Sequence, residues 1–83
     1  MDVILPVFSV RLKEVRQKSG LTQRKMGDLI GKTERHYQAI EAGKVNVSAT
    51  MLIFFAQEFH VSVDYLLGLS DNPQLDGGGQ EAP

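Results

Sequence analysis

A chain of 83 residues suits one small domain, whose core is attainable without staples. It has no cysteine, which excludes disulfides and thiolate metal sites and fits a reducing, cytoplasmic setting. Its net charge of −1 argues against a uniformly basic surface, and its longest mostly apolar runs, "VILPVF" and "MLIFFA", fall far short of the roughly 20 residues that span a bilayer.

The opening "MDVILPVFSV" carries Asp2 instead of a basic start and has no small-residue cleavage pattern, so it does not read as a signal peptide. No membrane association is expected. The charge is unevenly spread. All nine basic residues lie between Arg11 and Lys44, where only four acids accompany them, a local balance of +5. The other six acids lie outside that window. Such a field suits a polyanion, or an ordinary solvated helical surface.

Helix signals follow one another along the chain. Residues 1–7 form an apolar N-terminal extension, in which "VILPV" is the only strand candidate; Pro6 would confine it to an edge. Ser9 is placed to cap a first helix with Phe8, Leu12 and Val15 inward, ended by Ser19 and Gly20. Thr22 caps a second, with Met26, Leu29 and Ile30 inward and Gly31 after it. Thr33 caps a third, with Tyr37 and Ile40 inward, closed by Gly43. Ser48 caps a fourth, with a wide apolar face of Met51, Leu52, Phe55, Ala56 and Phe59. Ser62 caps a short fifth, with Leu66 and Leu67 inward and Gly68 after it. The tail at 70–83, "SDNPQLDGGGQEAP", is rich in Gly, Pro and acid and is expected to be disordered. The fold class is all-α: a five-helix bundle.

Helices two and three are short and joined by Gly31, Lys32 and Thr33, a tight turn that suits a helix-turn-helix. Gly27 costs about 1 kcal/mol inside a helix, which close approach of helix three would explain; alanine is expected to be tolerated there. On a wheel of about 100° per residue, Tyr37 and Ile40 point inward. Arg35, Ala39 and Ala42 then point outward with Gln38 beside them, and Glu34 lies in the first turn. Arg matches guanine bidentately, and Gln or Glu can read adenine or cytosine, so this face suits a major groove; it also suits plain water.

With these residues in place, "RLKEVR", "GLTQ", "IEAGK" and "VSVDYLL" resemble, in this order and spacing, the Cro/repressor-type helix-turn-helix family over residues 8–69. The resemblance implies a five-helix, phage-repressor-type domain that binds double-stranded operator DNA as a homodimer, with helix three as the recognition helix. It implies phosphate contacts for Thr22, Gln23, Thr33 and Lys44, and base-facing positions for Glu34, Arg35 and Ala39. His36, on the flank of helix three, can meet a phosphate or water. Gly27 stands where the family usually has Ala, Ala42 replaces a frequent Asn, and Val47 replaces a common Pro. Glu41 lies at a helix C-terminus, where the macrodipole disfavours a carboxylate, so a cation is expected nearby. In the family pattern that cation is Arg16, which would also stand near a phosphate.

Ile53 and Phe54 fall off the main apolar face of helix four. They suggest a dimer interface, or a wider core closed by the N-terminal segment. No cofactor or metal is expected, because His36 and His60 lie on different helices without clustered carboxylates. Enzymatic readings find no support. The leading reading is a sequence-specific DNA-binding transcriptional regulator, a repressor in type. Its rival is a protein-interaction module or antitoxin on the same fold, with a protein partner and little DNA reading.

Overall fold

Hydroxyl caps set most of the helix starts. In the computed structural model, which describes residues 6–74, α1 spans Pro6–Lys18, α2 Gln23–Leu29, α3 Glu34–Glu41, α4 Ala49–Phe59 and α5 Val63–Leu67. Thr22, Thr33, Ser48 and Ser62 precede α2 to α5. Each side-chain oxygen accepts from the N–H three residues on, at 2.9–3.1 Å. Such a cap is worth about 1 kcal/mol.

The first helix departs from expectation. Its described part already runs from Pro6, three residues before Ser9. Ser9 is therefore not its cap. It is buried inside α1, and its Oγ donates to the Ile40 carbonyl at 3.4 Å, tying α1 to the end of α3. Pro6 and Val7 belong to the helix rather than to an extension. Residues 1–5, including most of the strand candidate, lie outside the described residues, among which there is no strand.

Every helix contributes to one core. Leu12, Met26, Tyr37, Ile40, Phe55 and Leu66 are fully buried, and Phe8, Val15, Ala56 and Val61 complete the set. Phe55 stands at the centre, 6.4 Å from the Phe8 ring and edge-on to Tyr37 at 6.5 Å. The wide face expected of α4 is deep only at Phe55 and Ala56; Met51, Leu52 and Phe59 are half-buried at its rim.

The chain beyond α5 does not leave the surface at residue 70. Arg11 Nη1 donates to the carbonyls of Tyr65 and Ser70, each at 2.6 Å, and Nη2 to Asp71 at 2.9 Å. Its guanidinium lies 4.1 Å over the Tyr65 ring, and the Ser62 N–H donates to the Pro73 carbonyl at 3.0 Å. Residues 70–74 are thus fastened, which corrects the expected start of the tail; residues 75–83 lie outside the described part. No helix among the described residues is long and apolar enough to cross a membrane.

Candidate nucleic-acid interface

The α2–α3 unit is built by backbone contact. Gly31 takes the left-handed conformation, φ +70°, and the Lys32 N–H donates back to the Gly27 carbonyl at 2.9 Å. A Cβ on Gly27 would lie 2.9 Å from the Thr33 carbonyl carbon and oxygen and 3.0 Å from the Glu34 nitrogen. The start of α3 therefore rests directly on α2. The crossing is tighter than the expectation that alanine would fit unstrained.

A buried ionic cluster joins α1, the start of α2 and the end of α3. Arg16 Nε donates to Glu41 Oε2, and Nη2 to Oε1 at 3.3 Å; the two side chains are 12% and 4% exposed. Tyr37 donates its hydroxyl proton to Glu41 at 2.6 Å, and Gln23 Nε2 donates at 3.1 Å. Burial alone would push the Glu41 carboxyl up. The hydrogen bonds from Arg16, Tyr37 and Gln23, with the Arg16 charge, outweigh burial and hold it below the usual range. The Tyr37 hydroxyl is pushed up, by burial first and then by its bond to Glu41.

The expected partner of Glu41 is in place, and the pair takes up the Nε and one Nη2 donor of Arg16. Arg16 Nη1 also donates to the Leu21 carbonyl at 2.9 Å. The parts played by Gln23 and Tyr37 in the cluster were not anticipated. Tyr37 and Glu41 are four residues apart on one helix, a spacing that places their side chains together and could have signalled the contact.

The outer side of α2 and α3 is polar and open. Glu34, Arg35, His36 and Gln38 are exposed, Ala39 is half-buried between them, and Ala42 is exposed at the far end. Thr22 and Thr33 are exposed as well; each cap uses the hydroxyl oxygen as acceptor and leaves the O–H free to donate. Arg24, Lys25, Lys32, Arg35 and Lys44 are exposed and have no carboxylate partner among the described residues; the two ion pairs there belong to Arg11 and Arg16. Gln38 Nε2 donates to Gln23 Oε1 at 3.2 Å, linking α3 to the start of α2.

On α4, Ile53 is 49% exposed. Phe54 is half-buried, with its ring 6.0 Å from Phe55, and it lines a shallow groove with Leu29, Ile30 and Met51. His60 ends α4 in the left-handed conformation, φ +55°. No three His, Asp or Glu side chains gather among the described residues.

Comparison with known proteins places these features. Three uncharacterized HTH-type transcriptional regulators of Bacillus subtilis (strain 168) are similar to the chain. YobD is 33% identical over 67 residues, covering 81% of this chain and 60% of that protein. YqaE is 36% identical over 69 residues, covering 83% and 60%. The SPbeta prophage-derived YonR is 34% identical over 61 residues, covering 74% and 56%. The chain thus spans about three fifths of the length of these curated relatives. No solved structure gives a significant match. The family model described as Helix-turn-helix matches residues 12–66, from the buried Leu12 of α1 to the buried Leu66 of α5, and the chain belongs to that family.

Proposed function

We propose that this chain is a sequence-specific DNA-binding transcriptional regulator that acts as a homodimer on a pseudo-palindromic operator. One observation carries the reading: the outer side of α2 and α3 carries exposed cations, Arg35 among them, that have no carboxylate partner among the described residues, with Gln38 exposed beside them. The names of the relatives as transcriptional regulators support it. In this reading α3 enters the major groove. Arg35 donates bidentately to guanine, Gln38 meets adenine, Glu34 accepts from cytosine, and the small Ala39 permits close approach. Thr22, Gln23, Thr33, His36 and Lys44 hold phosphates and set the register. Arg16 braces α3 through Glu41, and its two remaining N–H groups make it a further phosphate candidate.

Ile53, beside the Phe54 groove, is the residue we assign to the dimer interface. Cytoplasmic location follows from a role on DNA.

The test is selection of bound duplexes from genomic fragments, followed by Arg35→Ala and Ile53→Glu. Arg35→Ala should cost about 1–3 kcal/mol at the selected site and much less on scrambled duplex. Ile53→Glu should yield folded monomers by sedimentation. Equal losses on both duplexes would make Arg35 a phosphate clamp. Failure of the wild type to enrich any sequence at low salt would favour a protein-interaction module.

A further inference from the structure

Two glutamines on the outer side of the domain are joined by hydrogen bonds that run in one direction. Gln38 Nε2 donates to Gln23 Oε1 at 3.2 Å, and Gln23 Nε2 donates to Glu41 Oε1 at 3.1 Å. The polarity of this chain is set at its inner end. An ionised carboxylate accepts and cannot donate. Glu41 is buried against the Arg16 guanidinium and takes the Tyr37 hydroxyl proton as a further bond, so its ionised form is the one the site favours. Gln23 must therefore turn its NH2 group toward Glu41, which leaves its carbonyl oxygen facing Gln38. Gln38 must turn its own NH2 toward that oxygen. A solvated glutamine on a helix surface has no such constraint and can present either end of its amide. Here a buried charge, two links away, makes the choice.

We propose that the Arg16–Glu41 pair, acting through Gln23, fixes the amide of Gln38 so that Oε1 and a single N–H are presented outward, which makes Gln38 a reader of adenine in the major groove. Resting on the DNA-binding reading above, this assigns Gln23 as a positioning residue as well as a phosphate neighbour. Adenine offers an N6–H donor and the N7 acceptor, which match Oε1 and the free N–H. Guanine offers two acceptors, O6 and N7, and would need two donors. One Gln38 N–H is already given to Gln23, so that pattern is not available. An isolated glutamine could supply it by turning its amide over. Discrimination at this position therefore comes from the bond that holds the side chain as much as from the side chain itself.

Two measurements on the full chain test this. The first uses free protein: side-chain 15N–1H spectra of wild type and Gln23→Met, which keeps the length and removes both hydrogen bonds, with Gln23→Ala as a second variant should Met disturb folding in urea melts. The Gln38 NH2 protons should have well-separated shifts in wild type and move toward those of a free glutamine in the variant. Unchanged Gln38 signals overturn the proposal whatever the DNA result. The second is selection from a random duplex pool. Gln38→Met should lower the adenine preference at one position per half-site by about tenfold, the scale of a good bidentate contact. Gln23→Met should relax that same position relative to the others, and the double variant should add no further loss there. Relaxation at a different position, or additive losses, overturns the proposal. A wild type that selects no sequence overturns the DNA reading and the adenine assignment with it, while the free-protein spectra still decide whether the amide is fixed.

Discussion

Replacing Gly27 by alanine sets two effects of opposite sign against each other. Alanine gains about 1 kcal/mol of helix propensity over glycine. Its Cβ, however, would sit 2.9 Å from the Thr33 carbonyl carbon and oxygen and 3.0 Å from the Glu34 nitrogen. Ordinary carbon contacts lie at about 3.5–4.0 Å, so the start of α3 must retreat by roughly half an ångström or more. The atoms in the way are backbone, and no rotamer change relieves them. Overpacking of this kind costs about 1–3 kcal/mol. Moving Thr33 also disturbs the cap it makes on the His36 N–H at 3.0 Å. Packing should win, with a net loss of about 1 kcal/mol, or about 4–8 °C in Tm for a domain this small. Leucine at the same position should lose about 3 kcal/mol or more. Urea melts followed by circular dichroism measure both. An alanine variant as stable as wild type, or more so, would refute the tight crossing; an unchanged leucine variant would remove the crossing altogether.

Three further outcomes are expected. A double-mutant cycle on Arg16→Ala and Glu41→Ala should give a coupling above the roughly 0.2–1 kcal/mol of exposed pairs, and additive losses would contradict the buried geometry. Glu41 has a lowered folded pKa, so its contribution is fully present above the unfolded carboxylate value and is lost as pH falls through the folded value. Wild type should therefore lose Tm more steeply in acid than Glu41→Gln, and parallel profiles would count against the linkage. Arg11→Ala should free residues 70–74 to proteolysis and cost about 2 kcal/mol through lost charged hydrogen bonds, while the salt dependence of DNA binding stays as in wild type. A smaller salt slope would place Arg11 at the phosphates instead.

What the sequence disclosed was chemistry that acts locally. A hydroxyl before an apolar repeat is a cap by its own geometry, so Thr22, Thr33, Ser48 and Ser62 could be placed from their neighbours alone. Gly27 announced the crossing because glycine in a helix needs a reason, although how tight the crossing is depends on backbone from the next helix. The failures have distant partners. Ser9 looked like a cap until the Ile40 carbonyl, 31 residues on, offered its hydroxyl a buried acceptor. Residues 70–74 have the composition of a free tail, and Arg11 fastens them from about sixty positions away. Helical periodicity put Arg35 and Gln38 outward correctly, since Tyr37 and Ile40 settle the rotation of α3. It could not reveal that Gln23 and Gln38 meet, because the meeting depends on how α2 and α3 cross.

Helices of seven and eight residues are too short to hold their shape alone in water, so α2 and α3 owe their geometry to what they touch. Apolar burial supplies part of this, mainly through Met26, Tyr37 and Ile40. The ionic cluster supplies something different. A buried ion pair is weak ground for stability, since desolvation offsets much of the attraction. Its distinguishing feature here is direction. Arg16 comes from α1, Gln23 from the first turn of α2, and Tyr37 from α3 itself, and all three converge on a carboxylate at the end of α3. An apolar side chain in place of Glu41 could fill the space from several rotations of α3, but three donors on one carboxylate are satisfied in few. The same convergence offsets the unfavourable macrodipole at that helix end. Thus the residue least suited to its position by local rules is the one that relates three helices to one another and, through Gln23, reaches the surface.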